Sequence, residues 1–292
     1  MNRKIIISSL SLALASLFFV VNDAIINFLS PLNIEFYHFV FYGTPAYLSV
    51  SMYLLFTNQF KKKVHTSNFF IPILRGLIFV PMPFLAFICL RQISLPEYTT
   101  LMMSSPLFSG VLAVIFLKEK LNIYILSSLV IGFLGVIFVI QPGFDNSFNL
   151  YFLLVLLSAF LIITTNILVN KYNNITSSEG FFIYGGIPIH LICFCLFINN
   201  PILISINIFL LITAGSIMVN SAIFLNIFAF KKSQKYYASI SNLIYLQILW
   251  SSIIGIIFFN EYLNNIALIG ALLIILCGII SIPAQIKQLN ES

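Results

Sequence analysis

The chain has very little charge for its length. Only 8% of its 292 residues are Asp, Glu, Lys or Arg, whereas 60% are hydrophobic. A soluble domain has about 25% charged residues, so this composition excludes a protein whose surface lies mainly in water. The sequence therefore predicts an integral membrane protein.

Several catalytic and metal-binding patterns are missing. The sequence has no glycine-rich phosphate loop, no paired-cysteine or HExxH zinc pattern and no nucleophile elbow. The four cysteines all lie within apolar runs, which indicates small buried hydrophobic residues rather than a disulfide framework. We expect no catalytic residues, no metal site and no cofactor. A membrane enzyme is the least supported function class.

Ten apolar runs are each long enough for a helix that crosses a bilayer, which needs roughly 20 apolar residues. The first run continues to Leu29, which is too long for the core of a signal peptide, so we interpret it as a retained span. Together the runs leave no stretch for a separate soluble domain. They lie at about 5–29, 36–57, 69–90, 97–117, 123–140, 149–170, 181–199, 205–229, 238–259 and 264–284.

A repeated segment divides these runs into two sets of five. FLKEKLN at residues 116–122 returns as FFNEYLN at residues 258–264, 142 positions later, with four of seven letters identical. An odd number of crossings per copy inverts the second copy relative to the first, as in many secondary transporters. We predict an all-α integral membrane protein of ten transmembrane helices in two inverted five-helix repeats. The repeats are residues 1–141 and 142–292, packed as one compact bundle.

The basic residues fall on one side of the predicted membrane. With the N-terminus inside, the outer loops hold only Arg91, which is the positive-inside pattern. The net charge of +6 therefore reflects topology and lipid headgroups, and we expect no nucleic-acid partner. We predict a monomer or homodimer in the inner or plasma membrane, with both termini cytoplasmic. The inner residues are Arg3, Lys4, Lys61, Lys62, Lys63, Lys118, Lys120, Lys171, Lys231, Lys232, Lys235 and Lys287.

Polar side chains inside apolar runs are the candidate functional residues, because charges in a bilayer are costly. Asp23 is either a proton-coupling carboxylate or solute contact, or a hydrogen-bonded structural residue. Arg75 either clamps a carboxylate or phosphate of a solute, or extends to the inner headgroups, which its depth alone favours. The amides and Tyr245 of other runs either line a wet cavity or hold helices together.

Two long segments carry a resemblance to a known family. PLFSGVLAVIFLKEKLNIYILSSLVIGFLGVIFVI at 106–140 and YLQILWSSIIGIIFFNEYLNNIALIGALLIILCGIISI at 245–282 resemble the EamA branch of the drug/metabolite transporter superfamily. Each segment contains Phe-x-x-Glu-x-Leu followed by a glycine-containing span. The resemblance implies a cavity between the halves, lined mainly by spans three, four, eight and nine with help from one and six.

The resemblance also implies a function. We expect a secondary transporter that moves a small organic metabolite by alternating access, with an amino acid, a nucleoside-like compound or an S-adenosylmethionine-like compound as the solute. The alternative is a non-transporting membrane scaffold or complex subunit, which predicts an apolar interface between the halves. The expected substrate-binding residues are Asn22, Asp23, Arg75, Asn166, Asn220, Asn242, Tyr245 and Gln247.

Overall fold

The computed structural model describes residues 3–32, 34–118, 123–140, 150–233 and 240–260, and scattered positions between 265 and 276. These residues form a bundle of helices. The helices are α1 (Arg3–Leu29), α2 (Phe36–Phe56), α3 (Phe60–Lys63), α4 (Phe70–Phe79), α5 (Pro81–Cys89), α6 (Leu95–Met102), α7 (Ser105–Leu112), α8 (Ile123–Ile140), α9 (Leu150–Lys171), α10 (Ser178–Asn199), α11 (Ile206–Ser233) and α12 (Leu246–Ile254). Short π-helical turns, Ala113–Leu117 and Gly255–Phe259, continue α7 and α12, and a 3₁₀ turn, Asn242–Tyr245, precedes α12.

Six segments of the described part are long and apolar enough to cross a membrane: α1, α2, the α4–α5 pair, α9, α10 and α11. A helix suits this environment because it satisfies its own backbone hydrogen bonds without water. The predicted all-helical, multi-pass class is therefore confirmed. The count of ten spans stays a prediction, because most of the tenth run lies outside the described residues.

The predicted fourth and ninth spans are not continuous α-helices. The fourth divides into α6 and α7, with Pro106 in the first turn of α7. The ninth begins as a 3₁₀ turn, and both spans end in π-helical turns. The third span divides similarly at Pro81, where α5 begins. A proline starts a helix easily but cannot supply the N–H that a helix interior needs.

The two π-helical turns end in the same unusual backbone conformation. Lys118 has φ 55° and ψ 32°, and Asn260 has φ 56° and ψ 31°, so both residues are left-handed. Position 260 follows position 118 by 142 residues, the spacing of the sequence repeat. The left-handed residue ends each helix and turns the chain away from its axis. The residues that follow, 119–122 and 261–264, lie outside the described part.

Two buried hydroxyl pairs join the predicted fourth and ninth spans. Thr99 Oγ1 donates to Ser251 Oγ at 2.8 Å, and the hydroxyls of Ser109 and Ser241 lie 2.5 Å apart. Position 241 follows 99 by 142 residues, and position 251 follows 109 by the same number. Exchanging the two copies therefore turns one pair into the other. We call these pairs the hydroxyl clamps.

The packing of the long helices follows the same exchange. α1 packs along α11, and its counterpart α9 packs along the α4–α5 pair. In the same way α2 packs on α11 and α10 packs on α4, while α2 and α10 contact each other. Equivalent helices thus make equivalent contacts. The boundary between residues 141 and 142 stays a prediction, because residues 141–149 lie outside the described part.

At one end of the bundle, the loop between α3 and α4 pairs with the loop between α9 and α10. Thr66 and Thr176 form an antiparallel bridge, and their hydroxyl oxygens lie 2.8 Å apart. Ser177 N donates to His65 O at 2.8 Å, and Lys231 Nζ donates to Thr176 O at 2.7 Å. Residues 65–67 and 175–177 form what we call the lysine-end latch.

At the opposite end, the start of α2 contacts the loops after α5 and α10. Arg91 Nη1 lies 3.1 Å from Glu35 Oε1 in an ion pair. His38 Nδ1 accepts a hydrogen bond from Glu35 N at 3.0 Å, so Nε2 carries the proton and donates to Asn200 O at 2.8 Å. We call these four residues the opposite-end latch. His38 therefore has a structural role here.

Candidate functional site

A cavity of about 100 Å³ lies where α1, α2, α4, α5, α10 and α11 meet. Its walls are mostly apolar, and a small number of polar side chains interrupt them. Because α2 and α10 both contribute, the cavity lies at the contact between the two predicted halves. The polar lining residues are Asn22, Tyr47, Arg75, His190, Ser216 and Asn220.

A second cavity of about 70 Å³ adjoins the first and reaches toward α6 and α12. Its polar lining includes Asp23, Tyr98 and Gln247. The two cavities share a boundary made of one amide and apolar side chains. The residues that line both are Asn22, Ile26, Phe79, Pro83 and Val219.

Five of the eight predicted substrate-binding residues line these two cavities. Asn22 borders both, Arg75 and Asn220 border the first, and Asp23 and Gln247 border the second. Four different helices contribute these side chains, so the fold brings together residues that are far apart in sequence. Their role in binding stays a prediction.

The other three predicted residues lie elsewhere or cannot be placed. Asn166 is 1% exposed on α9, and neither its Oδ1 nor its Nδ2 has a hydrogen-bond partner. The ring of Tyr245 covers Gly132 of α8, where a Cβ atom would lie 2.8 Å from the ring. Asn242 begins the 3₁₀ turn, but its side chain lies outside the described part.

Arg75 is buried without a polar partner. The residue is 4% exposed, and its Nε atom has no hydrogen bond. Among the described residues, no carboxylate forms an ion pair with it. Its Cζ lies 5.4 Å from the centre of the Phe79 ring, which covers the guanidinium. The expectation from depth, that Arg75 extends to the headgroups, is therefore wrong for this conformation.

Asp23 also has little hydrogen bonding from the protein. Asn22 Nδ2 donates to Asp23 Oδ1 at 3.3 Å, a long hydrogen bond, and Asn22 Oδ1 is buried without a partner. A carboxylate in hydrocarbon normally has a cation or several donors around it. No cation lies among the described lining residues of its cavity, and the two other donors there, Tyr98 and Gln247, form no hydrogen bond with Asp23. Asp23 therefore retains capacity for a further partner.

Two adjacent glycines make room for the polar side chains of the first cavity. A Cβ atom on Gly185 would lie 3.3 Å from Arg75 Nη1, and one on Gly186 would overlap the Tyr47 ring. The His190 ring stacks on Tyr47 with centres 4.1 Å apart. The sequence interpretation missed Tyr47, although a Gly-Gly pair inside an apolar run indicates close approach by another helix.

The comparisons with known proteins agree with this geometry. Residues 3–141 match the family model of the EamA-like transporter family. This part of the chain, just under half of its length, therefore belongs to the EamA-like transporter family. That family is part of the drug/metabolite transporter superfamily.

One curated relative and one solved structure resemble this EamA-like chain. An uncharacterized transporter of Archaeoglobus fulgidus is 32% identical over 88 residues, which cover 30% of this chain and 32% of the relative. The match thus spans about a third of the relative's length. A crystal structure superimposes with a TM-score of 0.71 at 11% identity, covering 94% of this chain and 96% of its own. Such low identity shows a shared fold alone.

The two cavities of this EamA-like chain present several kinds of polar group to their interior. They contain a guanidinium, a carboxylate, an imidazole and several amides, all held on helices. Among the described residues, no group of three His, Cys, Asp or Glu side chains is placed to hold a metal ion. The absence of a cofactor stays a prediction.

Proposed function

We propose that the chain is a secondary transporter that carries a small organic metabolite across the membrane by alternating access. The observation that carries the proposal is the pair of cavities within an apolar bundle, each with a few polar side chains in mostly apolar walls. The solute classes we consider are an amino acid, a nucleoside-like compound and an S-adenosylmethionine-like compound. Membership of a transporter family supports the general activity.

The unpaired polar atoms favour a transporter over a scaffold. A scaffold predicts apolar packing between the halves, because a buried unpaired polar group costs about 1–3 kcal/mol and a charge costs more. Here Asn22 Oδ1 and Arg75 Nε are buried without partners beside the cavities. A bound solute would form hydrogen bonds with these groups, whereas in a static bundle they would only lower the stability.

The two latches provide a means of alternating access. The lysine-end latch joins the loop between α3 and α4, which follows α2 in the chain, to the start of α10, where Ser177 accepts a hydrogen bond from Gly180 N at 2.9 Å. The opposite-end latch joins the loop after α10 to the start of α2. α2 and α10 are equivalent helices of the two predicted repeats, so exchanging the repeats turns one latch into the other. Opening one while the other holds would connect the cavities to one side at a time.

Charge supports a particular orientation for the proposed transporter. The described lysines of the loops and helix ends lie at the lysine end, and Arg91 lies at the opposite end. By the positive-inside rule, the lysine end faces the cytoplasm. Both termini would then be cytoplasmic, in an inner or plasma membrane.

A flux assay tests the proposal. Purified protein in liposomes should show saturable flux of at least one solute from a panel of amino acids, nucleosides and S-adenosylmethionine. Asn220→Phe should abolish this flux, because a phenyl ring would fill the first cavity, which Asn220 lines. Ile217→Phe is the matched control, since Ile217 lies on the same helix and is 49% exposed on the outside. Absence of saturable flux for every solute would contradict the proposal.

A further inference from the structure

The two cavities carry opposite charges at separate places. Arg75 lines the first cavity and is not among the lining residues of the second. Asp23 lines the second and not the first. The shared boundary between the cavities contains Asn22 and four apolar side chains. Among the described residues, no ion pair joins Asp23 to Arg75.

Each charge lacks a counter-charge among the residues that the structure describes. No described acidic side chain lines the Arg75 cavity, and no described basic side chain lines the Asp23 cavity. An isolated ion within a low-dielectric interior loses its hydration without compensation. A solute that supplies both missing partners would bind more tightly than one that supplies either alone.

We propose that the transported solute is dipolar, with a carboxylate held by Arg75 and a cationic group held by Asp23. This inference rests on the proposed transport function. Arginine presents parallel N–H donors that match a carboxylate in two hydrogen bonds. Asp23 accepts hydrogen bonds from an ammonium group, or attracts a sulfonium group by charge alone. The uncharged nucleoside-like class is thereby excluded.

A carboxylate fits the first cavity better than a phosphate monoester. Arg75 supplies one positive charge, and one carboxylate neutralises it. A phosphate monoester carries about two negative charges near neutral pH, so it would leave charge uncompensated. The described lining of this cavity contains no Lys and no second Arg.

The walls limit the rest of the solute. Cavities of about 100 Å³ and 70 Å³ are small for ligand sites, which usually measure roughly 300–1,000 Å³. The boundary side chains Ile26, Phe79, Pro83 and Val219 are apolar. The segment between the two charged groups of the solute is therefore short and apolar.

Matched compounds test each charge separately. Valine, valinamide and isovalerate form one set, in which the amide lacks the carboxylate and isovalerate lacks the ammonium. Alanine, alaninamide and propionate form a smaller set. Dissociation constants come from thermal-shift titration of the purified full-length protein in detergent. We expect the amino acid of at least one set to bind about tenfold to a hundredfold more tightly than either analogue, the range for hydrogen bonds to charged groups.

Variants assign each preference to its residue. Arg75→Gln should remove the advantage of the amino acid over its amide and keep the advantage over the acid. Asp23→Asn should do the reverse, and Arg75→Lys should retain part of the carboxylate preference. Lys61→Gln is the matched control, because it removes one positive charge from an exposed position outside both cavities and should change neither preference.

The outcomes separate this inference from the transport proposal. Preferences that persist in Arg75→Gln or Asp23→Asn would overturn the dipolar assignment, as would failure of both amino acids to bind. Adenosine flux that is unchanged in both variants would overturn it and leave transport standing. Loss of pH-driven accumulation of every solute in Asp23→Asn would identify a proton carrier instead. Only absence of flux for all solutes removes the transport function itself.

Discussion

A disulfide between positions 66 and 176 should lock the lysine-end latch and stop transport. Thr66 and Thr176 face each other across an antiparallel bridge, and the backbone hydrogen bonds lie on either side of them. Such a non-hydrogen-bonded pair has Cα atoms about 4.5 Å apart. A disulfide needs about 4.4–6.8 Å, so Thr66→Cys with Thr176→Cys should crosslink without moving the backbone.

The disulfide holds the loops together in a way that the native latch does not. The native contacts are two backbone hydrogen bonds, the bond from His65 N to Ser177 Oγ and one hydroxyl pair, each worth about 0.5–1.5 kcal/mol net, and the Lys231 bond, worth about 1.5–3 kcal/mol because its donor is charged. These contacts break and re-form without a change in covalent structure. The disulfide links residues separated by 110 positions, and closing such a loop stabilises the protein by about 4–5 kcal/mol in the chain-entropy treatment. The covalent bond also prevents separation of the loops altogether.

The assay compares oxidised and reduced protein in liposomes. Cys89, Cys193, Cys195 and Cys277 are first replaced by alanine, so that only the new pair can react. Oxidation should reduce flux to the level of empty liposomes, and dithiothreitol should restore it. Thr66→Cys alone is the control, and oxidation should not change its flux. Undiminished flux through fully crosslinked protein would refute the role of this latch as a gate.

Three other predictions concern packing and buried polar groups. Thr99→Val and Ser109→Ala each remove one hydroxyl clamp. Each should lower the free energy of unfolding by about 0.6–1.5 kcal/mol, seen as a lower unfolding midpoint in detergent. An unchanged midpoint would show that the clamps contribute nothing to stability. Asn166→Leu should raise stability by about 1–3 kcal/mol, because both amide atoms are buried without partners; a lower midpoint would mean that the amide has a partner in solution. Gly186→Ala should displace Tyr47 and lower stability by about 1–3 kcal/mol while reducing solute flux; normal flux and stability would contradict the packing described here.

The sequence predicted the membrane class from its low fraction of charged residues and most of the helices from its apolar runs. The lengths of these runs predicted the bounds of α1, α2, α9, α10 and α11 within a few residues. Pro81 and Pro106 mark the interruptions of the third and fourth spans in the sequence. The 3₁₀ turn of the ninth span and the two π-helical turns were missed, because a run of apolar residues looks the same in an α-helix, a 3₁₀ turn or a π-helical turn.

The candidate site was predicted in part for a similar reason. Asn22, Asp23, Arg75, Asn220 and Gln247 stand out as polar residues in apolar runs, and all line the cavities. Asn166 stands out equally, yet it packs away from them. Depth along a span can be read from sequence, but rotation about the helix axis depends on neighbouring helices. This is also why the direction of the Arg75 side chain could not be read from its depth.

The exchange symmetry of the helix contacts bears on which side of the membrane the resting carrier opens to. If the two copies were identical, a two-fold rotation would interconvert the inward-open and outward-open forms, and their free energies would be equal. Any preference for one form must therefore reside at positions where the copies differ, such as Lys118 and Asn260, which share one backbone shape but differ in charge. Swapping such residues between the copies offers a direct way to reverse the preference of the empty carrier for its inward-open or outward-open form.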